Sequence, residues 1–170
     1  EFRRVLFRSG WPAAVYEYVG SYRTRVRSEN FVGKGEFFEP YDSLRYMFDD
    51  TSDEDDVILK NLSSLGASFR RDWKRILAAD AFFMNTDRHM RNFGVIRSSK
   101  TGDILRLAPN FDNNQAYSAN PRGYSSSTLR LFIRSADAED RENLQILADG
   151  CKGNRYLSQA CQAYADLSDR

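Results

Sequence analysis

The chain has 170 residues, of which 41% are hydrophobic, and a formal net charge of +1 at pH 7. This length and composition predict one soluble domain with a buried core and exclude a disordered or fibrous chain. No apolar run approaches the roughly 18 residues of a membrane-spanning helix, so we expect no membrane partner. The balance of 25 Lys and Arg against 24 Asp and Glu argues against direct nucleic-acid binding. Two cysteines, Cys151 and Cys161, make neither a disulfide framework nor a zinc site and favour a reducing cytoplasm.

The first nine residues differ in character from the rest of the chain. Residues 1–9, EFRRVLFRS, read like a sequencing-library adapter translated in frame, and the chain starts with Glu1 instead of Met. We therefore expect a non-native segment at 1–9, followed by the C-terminal part of a longer protein. The alternative is a genuine basic amphipathic N-terminus. A secretory signal peptide is not predicted, because no continuous apolar stretch and no small-residue cleavage site follow.

The first third of the chain predicts short strands and then helices. Aromatic and β-branched residues over 12–32, interrupted by a Gly-Ser pair, predict a hairpin. Residues 33–36 read as a loop, after which Asp42 is placed to cap a helix. The acidic run at 49–56 lacks the spacing of an EF-hand. It predicts a solvated loop and the first turn of a helix, since like charges repel and acids suit the positive helix end.

The remainder of the chain predicts helices around a second hairpin. Apolar residues at three- and four-residue steps predict helices at 68–83, 140–149 and 155–167. Residues 93–96 and 104–107, separated by a polar turn, predict two antiparallel strands. The polar stretch 113–127 reads as a long surface loop.

Three polar residues lie where phosphate chemistry could use them. The stretch 85–94 reads NTDRHMRNFG, and APNFD follows at 108–112; Asp87 and Asn92 are five residues apart, and Asp112 follows twenty later. Transfer of a phosphoryl group from ATP needs a carboxylate to accept the hydroxyl proton, and oxygen ligands for Mg²⁺. Positioning and charge neutralisation supply most of the rate. The two stretches therefore contain the groups that such a transfer needs: the carboxylates of Asp87 and Asp112 and the amide oxygen of Asn92.

The composite N-x-D-R-H-x-x-N-F-G, joined to A-P-x-F-D after a hairpin, resembles the HipA-like kinases. These are bacterial serine/threonine kinases related to the HipA toxins, and the likeness is to the branch whose loop reads N-x-D-R-H. It covers about residues 15–117 and is specific over 85–112. The resemblance implies an α+β fold: a mainly helical, protein-kinase-like C-lobe with a short catalytic-loop β-hairpin. Residues 10–32 would then be an N-terminal strand remnant of the N-lobe, and 33–170 the C-lobe.

The resemblance also implies roles for the residues of the motif. The protein would transfer the γ-phosphate of ATP to a protein Ser/Thr hydroxyl, with Asp87 as the base and Asn92 and Asp112 holding Mg²⁺. His89 would lie near the transferred phosphate, although a histidine here could instead hydrogen-bond the backbone. An antitoxin or other regulator is a possible further partner.

Two arginines flank these residues. Arg88 and Arg91 are expected to bind the phosphates of the cofactor, since guanidinium groups pair well with phosphate. The alternative is surface arginines or structural ion pairs.

The sequence departs from the family pattern at its N-terminal end. No glycine-rich phosphate loop and no strand lysine is visible, and Lys34 lies in a loop. We therefore expect residues 1–170 alone to have negligible activity. Two alternatives remain open. The Asp-Arg-His loop is also similar to that of phosphatidylinositol kinases, which indicates a lipid or small-molecule kinase. The lobe could otherwise be a non-catalytic partner-binding module.

Overall fold

The computed structural model describes residues 11, 16–19, 25–28, 30–112, 116, 125–154 and 157–168. These residues form helices packed beside a small antiparallel sheet, so the predicted α+β class is confirmed. Within the described part of the chain, no helix is long and apolar enough to cross a membrane. Most of the stretch predicted as a long loop at 113–127 lies outside the described residues.

Among the residues that the structure describes, five strands form two separate sheets. Strand β1 (Tyr16–Val19) pairs antiparallel with β2 (Arg25–Ser28), which confirms a hairpin inside 12–32. Of the other residues in that range, the structure describes only 30–32. Strands β3 (Glu36–Pro40), β4 (Gly94–Ser98) and β5 (Ile104–Leu107) form the second sheet in the order β3-β4-β5. The hairpin predicted at 93–107 is therefore confirmed as β4-β5, and β3 is an addition that local pattern did not predict.

Strand β3 lies against the start of β4 so closely that Gly94 is required there. A Cβ atom at Gly94 would lie 2.1 Å from the Glu39 carbonyl oxygen and 2.8 Å from the Pro40 Cα. Backbone atoms at such distances cannot give way without moving the strand. The packing of β3 on β4 therefore requires the glycine of the NFG triplet, whether or not this residue takes part in catalysis.

The described ranges contain six α-helices, three between β3 and β4 and three after β5: α1 (Tyr41–Leu44), α2 (Asp55–Leu65), α3 (Ala67–Phe83), α4 (Ser127–Ser135), α5 (Ala138–Cys151) and α6 (Ser158–Ser168). The helices predicted at 68–83, 140–149 and 155–167 are confirmed with shifted ends. A 3₁₀ turn at Arg45–Met47 continues α1. The acidic run does begin a helix, since Asp55 and Asp56 occupy the first turn of α2.

The predicted cap at Asp42 is wrong. Strand β3 continues to Pro40, which occupies the N-cap position of α1 with an extended backbone (φ −67°, ψ 150°) and makes no side-chain cap bond. Asp42 lies inside the first turn instead, where its carboxylate is 3.6 Å from the Arg45 guanidinium. The strand thus leads directly into the helix, and no capping side chain is used.

The long helix α3 contributes to two hydrophobic clusters. The sheet-side cluster contains Trp73 of α3 with Tyr41, Leu62, Phe93 and Val95. The helical cluster is built on the C-terminal half of α3; its members include Trp11, Phe82, Phe83, Leu129, Leu144, Leu147 and Cys151. Both cysteines are free thiols, and burial raises the pKa of Cys151, as expected of a small packing residue.

Candidate active site

The polar loop between α3 and β4, residues 85–93, is called the site loop below. Helix α3 ends at Phe83 because Met84 adopts a left-handed backbone (φ 55°), which turns the chain out of the helix. The Asn85 N–H then donates to the Asp80 carbonyl at 2.9 Å. The buried helix therefore delivers the site loop at a defined angle, close to the sheet.

Hydrogen bonds fix the second half of the site loop, from Asp87 to Phe93. The Asn92 N–H donates to the His89 carbonyl at 2.8 Å, and the Asn92 side-chain amide donates to the Asp87 carbonyl at 3.1 Å. Helix α1 supports the loop from outside, since the Tyr41 N–H donates to the Phe93 carbonyl at 3.0 Å. The bond between Asn92 and the Asp87 carbonyl therefore closes the loop between two of the predicted site residues.

Arg88 makes five hydrogen bonds to described residues around the site. Its Nε and Nη2 atoms donate to the two carboxylate oxygens of Asp80 at 2.7 and 2.8 Å. Nη2 also donates to Asn110 Oδ1 at 2.9 Å. Nη1 donates to the carbonyls of Asn92, at 2.8 Å, and of Phe111, at 2.9 Å. These five hydrogen bonds equal the number of N–H groups on a guanidinium.

One nitrogen of Arg88 therefore joins two segments that are distant in sequence. Because Nη1 bonds the carbonyls of Asn92 and Phe111 together, it holds Asn92 near the residue that precedes Asp112. Asp112 itself has a left-handed backbone (φ 54°), a conformation that Asp tolerates better than most residues. Such backbone conformations cluster at functional sites.

An aromatic cluster of Phe31, Phe38 and Phe111 supports the second segment. Phe111 stacks on Phe31 with ring centroids 5.2 Å apart and meets Phe38 edge-on at 5.4 Å. The ring immediately before Asp112 is thereby fixed to the sheet. Its role is to anchor the backbone from which the Asp112 carboxylate projects.

The structure places the other predicted site residues at the surface of the loop. Asp87 and His89 are exposed, and His89 Nδ1 accepts from the Arg91 N–H at 3.3 Å. Arg91 is 79% exposed, with Nε 3.6 Å from the Asp42 carboxylate. Arg88, in contrast, is 9% exposed and points into the protein. Its predicted contact with the cofactor stays a prediction, while its observed contacts are internal.

The donor set fits Mg²⁺. Because the amide nitrogen of Asn92 is used by the Asp87 carbonyl, its Oδ1 is the atom left to face a metal. Asp112 adds a carboxylate, and hard oxygen ligands in small number suit Mg²⁺, which keeps waters and phosphate oxygens in its other positions. Within the described ranges, no group of three or more His, Cys, Asp or Glu side chains forms a metal site by itself.

Sequence reasoning missed Asp80 and Asn110, the residues that hold Arg88. Asp80 is 6% exposed and lies on the apolar face of α3, and Asn110 is 5% exposed and follows β5. A carboxylate at a buried helix position was the available signal, because such a group needs a charged partner. The identity of that partner depends on the tertiary fold.

The comparisons with known proteins indicate a kinase-like fold. No protein-family model matches the chain, and no curated protein sequence matches it. Among solved structures, the chain is similar to the proinflammatory kinase CtkA of Helicobacter pylori, with a TM-score of 0.71 at 12% identity. The match covers 99% of this chain and 82% of that one. At this identity the likeness concerns the fold alone, and it confirms that the chain has the α+β fold of a kinase.

Proposed function

We propose that the protein is an ATP- and Mg²⁺-dependent phosphotransferase of the HipA-like type, which transfers the γ-phosphate to a Ser or Thr hydroxyl of a protein. The observation that carries the proposal is the Arg88 network, which brings the Asp87–Asn92 loop and the Asp112 segment into one constellation. The kinase-like fold supports it.

Each residue of the constellation has a chemical task. Asp87 is exposed at the loop surface, where its carboxylate can orient the acceptor hydroxyl and take its proton. The hydroxyl oxygen forms a bond to the γ-phosphorus as the bond from that phosphorus to the bridging oxygen of ADP breaks. Asn92 Oδ1 and the Asp112 carboxylate would hold Mg²⁺, which neutralises the phosphate oxygens when bound.

The remaining site residues assist the transfer. Exposed His89, two residues after Asp87, would lie near the transferred phosphate. Arg91 extends into solvent and would attract the phosphates by charge. We assign Arg88 as a positioning residue, because its hydrogen bonds hold the loop and the metal segment in register.

The domain division, cellular location and regulation remain proposals. We propose that residues 1–9 are non-native, that 10–32 belong to an N-lobe, and that 33–170 form the C-lobe. On this proposal residues 1–170 alone transfer phosphate poorly, because the sequence shows neither a glycine-rich loop nor a strand lysine. We also propose a cytoplasmic location and an antitoxin-type regulator.

The test is the Asp87→Asn variant of the protein expressed from its complete gene. We expect transfer from γ-labelled ATP to protein substrates to fall about a thousandfold, because the general base is lost. The matched control is Asp103→Asn, an exposed acid in the turn between β4 and β5, which should retain the wild-type rate. Circular dichroism checks that both variants fold.

The same assay contains the outcome that contradicts the proposal. Equal rates for Asp87→Asn and the wild-type protein would remove Asp87 from the chemistry. Parallel reactions with nucleosides and inositides distinguish a small-molecule or lipid kinase from a protein kinase, since the labelled product differs. No labelled product from any acceptor, with a folded wild-type protein, would favour a non-catalytic partner-binding module.

A further inference from the structure

A groove of about 560 Å³ lies beside the site loop, between three helices. One face of α3 lines it through Trp73, Leu77 and Ala81, which recur at four-residue steps and therefore lie along one side of the helix. The start of α2 contributes Asp55 and Ile58, three residues apart. The groove is large enough to take several side chains of a bound peptide.

Helix α4 forms the remaining side of the groove. Its lining residues are Thr128, Leu131, Phe132 and Ser135, which recur at i, i+3, i+4 and i+7 and so share one face. Leu131 on this face is 64% exposed, whereas Leu129 on another face is fully buried in the helical cluster. On the groove face of α4, Leu131 is therefore an exposed apolar side chain, whereas Phe132 is partly buried against the helical cluster.

The mouth of the groove is acidic. Asp53 and Asp55 line it, both are exposed, and neither forms an ion pair with any residue that the structure describes. Asp80 also lines the groove, but Arg88 neutralises it. The charge that remains for an occupant is negative, so a cationic side chain is the complementary partner.

The end of the groove reaches the residues around the proposed base. Thr86 and Arg88, which flank Asp87 in the chain, both line it, as does His89. A peptide lying in the groove would therefore bring its own hydroxyl groups close to the site loop.

We propose that this groove binds the acceptor segment of a protein substrate, with a Lys or Arg side chain on Asp53 and Asp55 and an apolar side chain on Leu131 and Phe132. The identification of the occupant as the phosphate acceptor rests on the proposed function. Binding of a basic, apolar peptide does not require phosphate transfer, so the two can be measured separately.

The first experiment measures binding by fluorescence anisotropy, without ATP. The probes are three labelled peptides of one Ser-containing sequence: one with two Arg and a Leu, one with the Arg replaced by Glu, and one with the Leu replaced by Ala. We expect the Arg/Leu peptide to bind the protein about tenfold more tightly than the Glu peptide, and the difference to shrink as salt is added.

Variants of the groove locate the binding. Asp53→Asn combined with Asp55→Asn should weaken the Arg/Leu peptide about fivefold. Asp49→Asn combined with Asp103→Asn removes the same charge from exposed positions outside the groove and should leave the affinity unchanged. All four positions are exposed, so the fold should tolerate the changes.

The apolar contact has its own variant. Leu131→Ser should weaken the Arg/Leu peptide about fivefold and leave the Ala peptide unchanged, because only the first peptide offers an apolar side chain to that face. Leu105→Ser is the matched control, since Leu105 is also exposed and lies on β5 outside the groove.

Two results would overturn the proposal. The first is equal affinity for the Arg/Leu and Glu peptides. The second is a groove pair, Asp53→Asn with Asp55→Asn, that binds as tightly as its charge-matched control. If binding follows the expected pattern while the protein expressed from its complete gene transfers no phosphate, the groove is retained and the proposed function fails. If the protein transfers phosphate but binds the Arg/Leu and Glu peptides equally, the proposed function is retained and the groove proposal fails.

Discussion

At the scale of single residues, the site is organised around one buried guanidinium. Arg88 bonds Asp80 with two nitrogens and two separate backbone segments with a third, a geometry that needs the planar fork of arginine. A lysine has three donors on one atom and could not satisfy the same partners. The fold therefore requires the arginine of the Asp-Arg-His triplet, whether or not this arginine also contacts phosphate.

Replacing Arg88 by Met should lower the free energy of unfolding by about 3 to 5 kcal/mol. The change leaves the Asp80 carboxylate buried without its cation, which is the costly way to break a buried pair. Urea denaturation followed by circular dichroism measures the loss. Combining Arg88→Met with Asp80→Asn should restore part of it, because the uncompensated charge is gone.

The control for this prediction is Arg91→Met, three residues along the same loop. Arg91 is 79% exposed and lies 3.6 Å from a half-exposed carboxylate, so its removal should change the free energy of unfolding by less than about 0.5 kcal/mol. Similar losses for Arg88→Met and Arg91→Met would show that the Arg88 network does not hold the fold together.

At the scale of elements, helix α3 is joined to α5 through a buried lysine. Lys74 is 4% exposed, and its Nζ lies 2.5 Å from the Asp137 carboxylate and 3.0 Å from that of Asp140. The same two acids form a capping box at the start of α5, each side chain accepting from the other's backbone N–H. One cluster thus caps one helix and fixes its position on another.

This junction should make the stability depend on acid pH. Hydrogen bonds from Lys74 and from the Asp140 N–H hold the pKa of Asp137 at about 2, below its ordinary value of 3.8. Because the unfolded chain binds the proton more readily, the stabilisation is complete above about pH 4 and is lost as the pH falls toward 2. The melting temperature of the wild-type protein should therefore fall steeply in this range.

The Asp137→Asn variant distinguishes the contribution of the Asp137 carboxylate to this pH dependence from that of the other acids. Asparagine keeps an oxygen that can accept from the Asp140 N–H, but it does not titrate. We expect the variant to be less stable than wild type at about pH 5 and the two melting temperatures to converge at about pH 2.5. Glu36, whose pKa the Arg106 hydrogen bond lowers to about 2, contributes equally to both proteins. Parallel melting curves at every pH would contradict the assignment.

Helix α4 shows why local pattern misses an element. It has only nine residues, of which Leu129, Phe132 and Ile133 pack on the helical cluster, and it directly follows a polar stretch that reads as a continuous loop. A longer helix such as α3, with 17 residues, repeats its apolar spacing over several turns and is easier to identify from the sequence. The exposed position of Leu131 beside the groove is explained only once the neighbouring helices are in place.

At the scale of the whole molecule, helix α3 packs into both the sheet-side cluster and the helical cluster. The N-terminal half of α3 packs Trp73 into the sheet-side cluster, and its C-terminal half packs Phe82 and Phe83 into the helical cluster. Because a helix propagates cooperatively, loss of packing on one half destabilises the other. The two clusters should therefore unfold together.

The two tryptophans allow this to be measured, since Trp11 lies in the helical cluster and Trp73 in the sheet-side cluster. In the variants Trp11→Phe and Trp73→Phe, a single tryptophan reports one cluster. Within each variant we expect the urea midpoint from fluorescence to coincide with the midpoint from circular dichroism. Separated midpoints within one variant would mean that the clusters unfold independently.

The local periodicity of the sequence was sufficient to predict α3, the β4-β5 hairpin and the helices after Ala136, because their apolar spacing depends only on residues near in the chain. The motif likewise identified Asp87, Asn92 and Asp112 as candidate site residues, since their side-chain types and spacing can be read from the sequence alone.

Only the tertiary structure decided how those residues are held. Strand β3, the Asp80–Arg88–Asn110 network and the groove beside α4 all depend on contacts between residues far apart in sequence. Asp80 shows the difference most clearly. A buried carboxylate needs a cation, and the sequence offers 25 lysines and arginines as candidates. Packing of the site loop against α3 selects Arg88 among them.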